Sequence, residues 1–324
     1  MPGRQRRRKL GRALSGGALV GAASLSGCVM TRPARTPALT PPSDLAVRAV
    51  SFGSASGATI RAWFLHGMPG GGSVLLLHGV GSNRSSMVAR ARFLHRQGYS
   101  VLLPDFQAHG ESTGEFITFG SRESLDAMAA LEYLRRCAPD ERVAVIGVSM
   151  GGAAALLGPR PLDVDAIVLE SVYPTIRQAL EDRLAVWMGP LGRLNRYVAP
   201  VVLREVSAEI GVREDALRPI DRIGQVGVPV FVLSGTRDRY TPLAEARALF
   251  EHARGTKQFW AVEGAAHEDL YAFTGDEYEH RVGAFLSVQL RPVDGAASSR
   301  HGSPEGPPLA CAVPSIGQGG AHGA

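Results

Sequence analysis

Between residues 73 and 290, short β-branched apolar runs alternate with stretches of helical composition. "SVLLLH" (73–78), "YSVLLPD" (99–105), "RVAVIG" (142–147), "AIVLES" (166–171), "VPVFVLSG" (228–235) and "KQFWAV" (257–262) read as strands, the first of them buried. Between and after them lie "RSSMVARARFLHRQG" (84–98), "SRESLDAMAALEYLRR" (121–136), "PLAEARALFEHA" (242–253) and "DEYEHRVGAFLSVQL" (276–290). That rhythm predicts an α/β fold with a mostly parallel, doubly wound sheet covered on both faces. Two earlier runs, "AVRAVSF" (46–52) and "TIRAWFLH" (59–66), read as strands joined by the turn "GSASGA". In such sheets, ligands bind beyond the C-terminal ends of the strands. Residues able to do chemistry are therefore sought on those loops.

"VAVIGVSMGGAAAL" (143–156) carries one of them. A strand runs into Gly147, Ser149, Gly151 and Gly152, and then into a helix start. Strand, Gly-x-Ser-x-Gly, helix is the context of a nucleophile elbow. A sharp turn there leaves no room for side chains beside the serine, so the serine projects alone. Glycine and serine are common, so the pattern gains weight only if a base, an acid and oxyanion donors accompany it.

Serine needs a base to take its proton, usually a histidine oriented by a carboxylate. Asp238 stands in "TRDRYTP", after the strand 228–235. Glu170, at the end of "AIVLE", is the competing acid. His267 stands in "EGAAHEDL", after the strand 257–262. His252 and His280 fall in helical patterns, and His301 and His322 in the C-terminal tail. The order Ser149, Asp238, His267 is that of the α/β-hydrolases. Two N–H groups must also converge on the developing oxyanion. Met150, directly after the serine, supplies one. Val80, in "LLLHGVGSNR", supplies the other, with Gly79 and Gly81 permitting close approach of the backbone.

"LLLHGVGSNR", "LLPDFQAHGES", "VIGVSMGG", "LSGTRDRYTP" and "VEGAAHEDLY" together resemble the successive motifs of the α/β-hydrolase superfamily. The likeness is to its bacterial serine-hydrolase branch of esterases, monoglyceride-lipase-like enzymes and serine-aminopeptidase-like members, and it spans about residues 45–290. It implies Ser149 as nucleophile, His267 as general base and then acid, and Asp238 as orienting carboxylate, with no metal or organic cofactor. Gln107 stands where the family often has arginine. His109, on the same loop, is expected to be structural.

Residues 172–224 break the strand–helix rhythm and read as a short helical cap over the strand ends. Tyr173, Trp187, Met188 and Tyr197 are its candidate substrate-pocket residues. The expectation is hydrolysis of small to medium carboxylic esters. A serine peptidase or amidase, with Glu181 and Asp182 capturing a substrate amine, and an acyltransferase would use the same triad. A non-catalytic binding lipoprotein is the alternative of a different class.

The termini read differently. Residues 1–27 hold six basic residues and no acidic one, so the formal charge of +5 becomes −1 without them, and no nucleic-acid footprint is left. A basic start, the small apolar "ALSGGALVGAAS" and "LSGC" read as a secretory signal. Leu25-Ser26-Gly27-Cys28 resembles a bacterial lipobox, which implies cleavage before Cys28, a lipid anchor on its sulfur and a cell-envelope location. Residues 28–44 read as a Pro-rich linker holding the domain off the membrane, 45–291 as the folded domain, and 292–324 as a disordered tail. Cys137 is expected to be an inert residue near a helix end, and no Cys/His cluster has zinc spacing.

Overall fold

The computed structural model describes residues 30–36 and 38–291. Cys28 with the signal segment, and the tail 292–324, lie outside the described residues. Strands β1 (Arg48–Gly53), β2 (Thr59–Leu65), β3 (Ser73–Leu77), β4 (Ser100–Pro104), β5 (Val143–Val148), β6 (Ala166–Glu170), β7 (Val230–Gly235) and β8 (Lys257–Val262) form one sheet. Its order is β1-β2-β4-β3-β5-β6-β7-β8. β2 is antiparallel to β1 and to β4, and every other pairing is parallel. This is an α/β-hydrolase fold, as the resemblance of the motifs implies, and its mostly parallel sheet is what the alternation of runs predicts.

β3, β4, β6 and β7 are buried at every residue. A strand covered on both faces has no polar side to show, which is why these runs are continuously apolar. Alternate side chains feed two cores. Leu75, Leu77 and Val145 pack on one face with helices α2 (Ser121–Cys137) and α3 (Met150–Leu156). Val74, Leu76 and Ile146 pack on the other, with α1 (Val88–Arg96) and, at the C-terminal end of the described chain, Asp276–Leu290. β1 alternates exposed residues with half-buried or buried ones, Val50 among the latter, as an edge strand does.

The cap interrupts the chain between β6 and β7. It contains α4 (Ile176–Trp187), a 3-10 turn (Gly189–Leu194), α5 (Asn195–Ile210) and the short α6 (Ile220–Ile223). Thr175 starts α4 by accepting the Gln178 N–H on its hydroxyl. α5 buries Ala199, Val202, Leu203, Val206 and Ile210, a stripe at helical spacing that holds the cap down.

Two readings of the sequence are corrected. The described part of the Pro-rich stretch lies on the domain instead of standing off it. Thr31 donates from its hydroxyl to Glu209 at 2.8 Å, and its carbonyl accepts the Ile117 N–H. Ala34 pairs with the loop at His109, and Asp44 is salt-bridged to Arg92. Proline content speaks of chain stiffness; it leaves the remaining carbonyls and N–H groups free to pair with a neighbouring loop. Cys137, buried at the end of α2, is disulfide-bonded and so is not a free thiol.

Candidate active site

Ser149 stands between β5 and α3 with φ 49° and ψ −114°, a backbone conformation that side-chain-bearing residues rarely adopt. The glycines explain how the turn closes. A Cβ on Gly147 would lie 2.5 Å from Gly152 Cα, and one on Gly151 would collide with the Leu77 carbonyl. The Ser149 N–H donates to the Glu170 carbonyl at 2.8 Å, which fixes the turn to the neighbouring strand.

Asp238 lies in the turn after β7 and is buried. Its Oδ1 accepts the N–H groups of Tyr240 (2.9 Å) and Thr241 (2.8 Å). Its Oδ2 lies 2.8 Å from His267 Nδ1. An aspartate fixed by two backbone donors holds the imidazole in the tautomer with hydrogen on Nδ1, which leaves Nε2 as the basic position. The Tyr240 ring meets His267 edge-on at 5.7 Å. Ser149 and His267 line one cavity of about 260 Å³ together with Gly79, Val80, Arg90 and Asp269.

Two buried histidines shape the loop that carries Val80. His78 meets the Gly79 carbonyl through Nδ1 (2.8 Å) and accepts the Phe106 N–H on Nε2 (3.1 Å). His109 meets the Gln107 carbonyl through Nδ1 (2.8 Å) and accepts the Gly81 N–H on Nε2 (3.1 Å). Each ring spends one nitrogen as donor and one as acceptor, so each is neutral. Burial, reinforced by His109, lowers the His78 pKa to about 3, and burial lowers that of His109. His109 thus has the structural place expected of it.

Glu170, the rival acid, is fully engaged elsewhere. Arg90 donates to both its oxygens, at 3.0 and 2.7 Å, and Tyr278 donates its hydroxyl to the same carboxylate. Arg90 also reaches Asp269 Oδ1 at 2.8 Å, on the loop that carries His267. Burial opposes the Arg90 charge, but the surrounding acids, Glu170 foremost, outweigh it and hold its pKa above the usual arginine value. One buried guanidinium therefore ties the strand end beside Ser149 to the His267 loop. Sequence reasoning missed Arg90. A signal existed: it falls between Met87 and Leu94 on the helix's apolar stripe, where a lone charge needs a partner.

A second cavity, of about 170 Å³ and mostly apolar, adjoins the first. Tyr173 and Trp187 line it with Met30, Val80, Phe119, Met150 and residues of α4. Tyr173 is held by its hydroxyl donating to the Phe119 carbonyl at 2.8 Å. Met188 and Tyr197 do not line it. Trp187 ends α4, so the chain after it turns away into the 3-10 segment and carries Tyr197 into solvent. Glu181 and Asp182 line neither cavity, whereas Arg183 lines both.

A family model described as "Alpha/beta hydrolase family" matches residues 74–282. The chain belongs to the alpha/beta hydrolase family. Among this hydrolase's relatives is the uncharacterized protein YqkD of Bacillus subtilis, 25% identical over 240 residues, covering 72% of this chain and 77% of that protein. The uncharacterized protein Rv2307c of Mycobacterium tuberculosis is 29% identical over 237 residues, covering 71% and 76%. In three dimensions the chain is similar to the Pyrococcus furiosus esterase Pf2001, with a TM-score of 0.68 at 24% identity over 81% of this chain and 98% of that one.

Proposed function

We propose that this protein is a serine hydrolase that cleaves carboxylic esters of small to medium acyl chains through an acyl-enzyme. The observation that carries the reading is the Asp238–His267 pair at 2.8 Å, with His267 and Ser149 walling one cavity. Ser149 attacks the ester carbonyl while His267 Nε2 accepts its proton. The N–H groups of Val80 and Met150 stabilise the oxyanion, each worth about 10²–10³ in rate. The alcohol leaves with the proton from His267, and water repeats the sequence on the acyl-serine. The apolar cavity roofed by Tyr173 and Trp187 receives the acyl chain. Its limited volume argues for short and medium chains over long ones. Glu181 and Asp182, the cap acids considered for capture of a substrate amine, line neither cavity, and Asp269, which lines the catalytic one, is paired with Arg90. We further propose that the chain is exported and lipid-anchored through Cys28, on the strength of its N-terminal pattern.

The test is a graded panel of p-nitrophenyl esters, with amino-acid amides alongside, given to the wild type and Ser149→Ala. Turnover of short and medium esters by the wild type alone is the expected result. A folded wild type that turns over no ester at any chain length overturns the reading.

A further inference from the structure

The tip of the cap exposes more apolar surface than a protein bathed in water needs. Trp187 (60% exposed), Leu191 (62%), Leu194 (46%) and Tyr197 (63%) lie within eleven residues, and they are half of the large apolar side chains exposed among the described residues. Singly exposed apolar residues need no explanation, but a cluster of this kind marks a docking surface. The exposed charges around it are of one sign. Arg193, Arg196 and Arg204 are exposed, whereas the flanking acids Glu181, Asp182 and Glu205 are half-buried. Arg193 and Arg196 are exposed beside the cluster, and the Arg196 guanidinium lies 4.8 Å from the centre of the Tyr197 ring.

We propose that this face, the end of α4 with the following 3-10 turn and the start of α5, docks on an anionic lipid surface. Tryptophan and tyrosine settle at the boundary between headgroups and acyl chains, leucines bury their side chains below it, and arginines meet the phosphates. A second copy of the chain fits poorly, because facing tips would set exposed arginines against exposed arginines, while the nearby acids are half-buried. Trp187 is at once exposed and part of the wall of the apolar cavity. Docking therefore brings an acyl chain leaving the bilayer to the cavity's edge. The surface stands apart from the catalytic reading, since its test measures no turnover.

Three tryptophans are present, and Trp63 and Trp260 are buried, so Trp187 reports on this face alone. The experiment uses the full chain carrying Cys28→Ser, with and without Trp187→Phe. Each is titrated with vesicles of phosphatidylcholine plus phosphatidylglycerol, or of phosphatidylcholine alone, containing brominated acyl chains. The signal lost in Trp187→Phe should be quenched by the anionic vesicles and much less by the neutral ones. Arg193→Ala/Arg196→Ala should raise the lipid needed for half-quenching by about thirtyfold. Absence of quenching on anionic vesicles overturns the proposal, as does quenching that the double variant leaves unchanged. A Trp187 signal that shifts with protein concentration in vesicle-free solution also overturns it, assigning the face to a second copy.

Discussion

Asp238 and Glu170 leave the C-terminal ends of neighbouring parallel strands, both buried and both near the serine turn. They are chemically alike and hold different company. Asp238 receives two backbone N–H groups and the imidazole of His267. Glu170 receives a bidentate arginine and a tyrosine hydroxyl. The sheet brings either acid to the edge of the site; the partner decides what it can do there. Asp238 lies on a turn three residues beyond its strand, free to face the histidine, whereas Glu170 is still within β6 and its side chain goes to the helix layer.

The sharpest way to break that contrast is to neutralise each acid in turn. Asp238→Asn presents an amide that can stabilise the wrong imidazole tautomer, and kcat should fall about 10⁴-fold with the fold intact. A variant retaining more than about a hundredth of wild-type kcat would return the role to Glu170. Glu170→Gln should do the reverse. It leaves Arg90 buried without its main counter-charge and should cost about 3 kcal/mol in urea unfolding, while kcat of the folded protein changes less than tenfold. Replacing both members, as Arg90→Met with Glu170→Leu, should recover much of that stability, because no uncompensated charge remains.

The histidines repeat the contrast at smaller amplitude. His78 and His109 are bonded to backbone groups and kept neutral, with folded pKa values below that of a free imidazole. The unfolded chain takes up these protons near pH 6.5, and the native protein holds out until about pH 3 for His78. Their contribution is thus fully present above pH 6.5 and declines as the pH falls below it, by up to about 1.4 kcal/mol per pH unit for each histidine. Urea midpoints between pH 7 and pH 4 should show this slope. A flat profile would mean that these rings are not the fixed neutral supports of the Val80 loop.

The smallest effect belongs to a pair of acids whose partner is another acid. Burial raises the pKa of Glu245 to about 8, with help from the charge of Asp182, and burial raises that of Asp182 to about 6. Asp182 lies on α4, and Glu245 on the body helix after β7. A carboxyl whose folded pKa is raised favours the native state at low pH and opposes it as the pH climbs through that value. Proteolysis of the cap should therefore accelerate modestly in the wild type as the pH rises from about 5 to about 8, and level off above that. Glu245→Gln should flatten that rise, and an unchanged profile would free the cap from this contact.

Much of this was legible in the sequence, and for a physical reason. Strands buried on both faces must be continuously apolar, so β3 to β7 stand out between amphipathic stretches. The strand-end rule then selects Ser149, Asp238 and His267, because each is the one serine, carboxylate or histidine on its loop. What stayed hidden depends on contacts far apart along the chain. Arg90 and Glu170 are 80 residues apart, and a charge on the apolar stripe of α1 announces that Arg90 needs a partner without saying which. Met30 falls in a stretch that reads as a Pro-rich linker, yet it walls the apolar cavity. Trp187, Met188 and Tyr197 share an aromatic and apolar character, but only the helix end decides that Trp187 touches the cavity and the other two do not.

The most direct measurement is covalent labelling with a fluorophosphonate, read by intact mass and peptide mapping, on the wild type and His267→Ala. An activated serine predicts a single adduct on Ser149 in the wild type and little or none in His267→Ala. A folded wild type without an adduct, or an adduct on another residue, would contradict the assignment of Ser149, Asp238 and His267 as one catalytic unit.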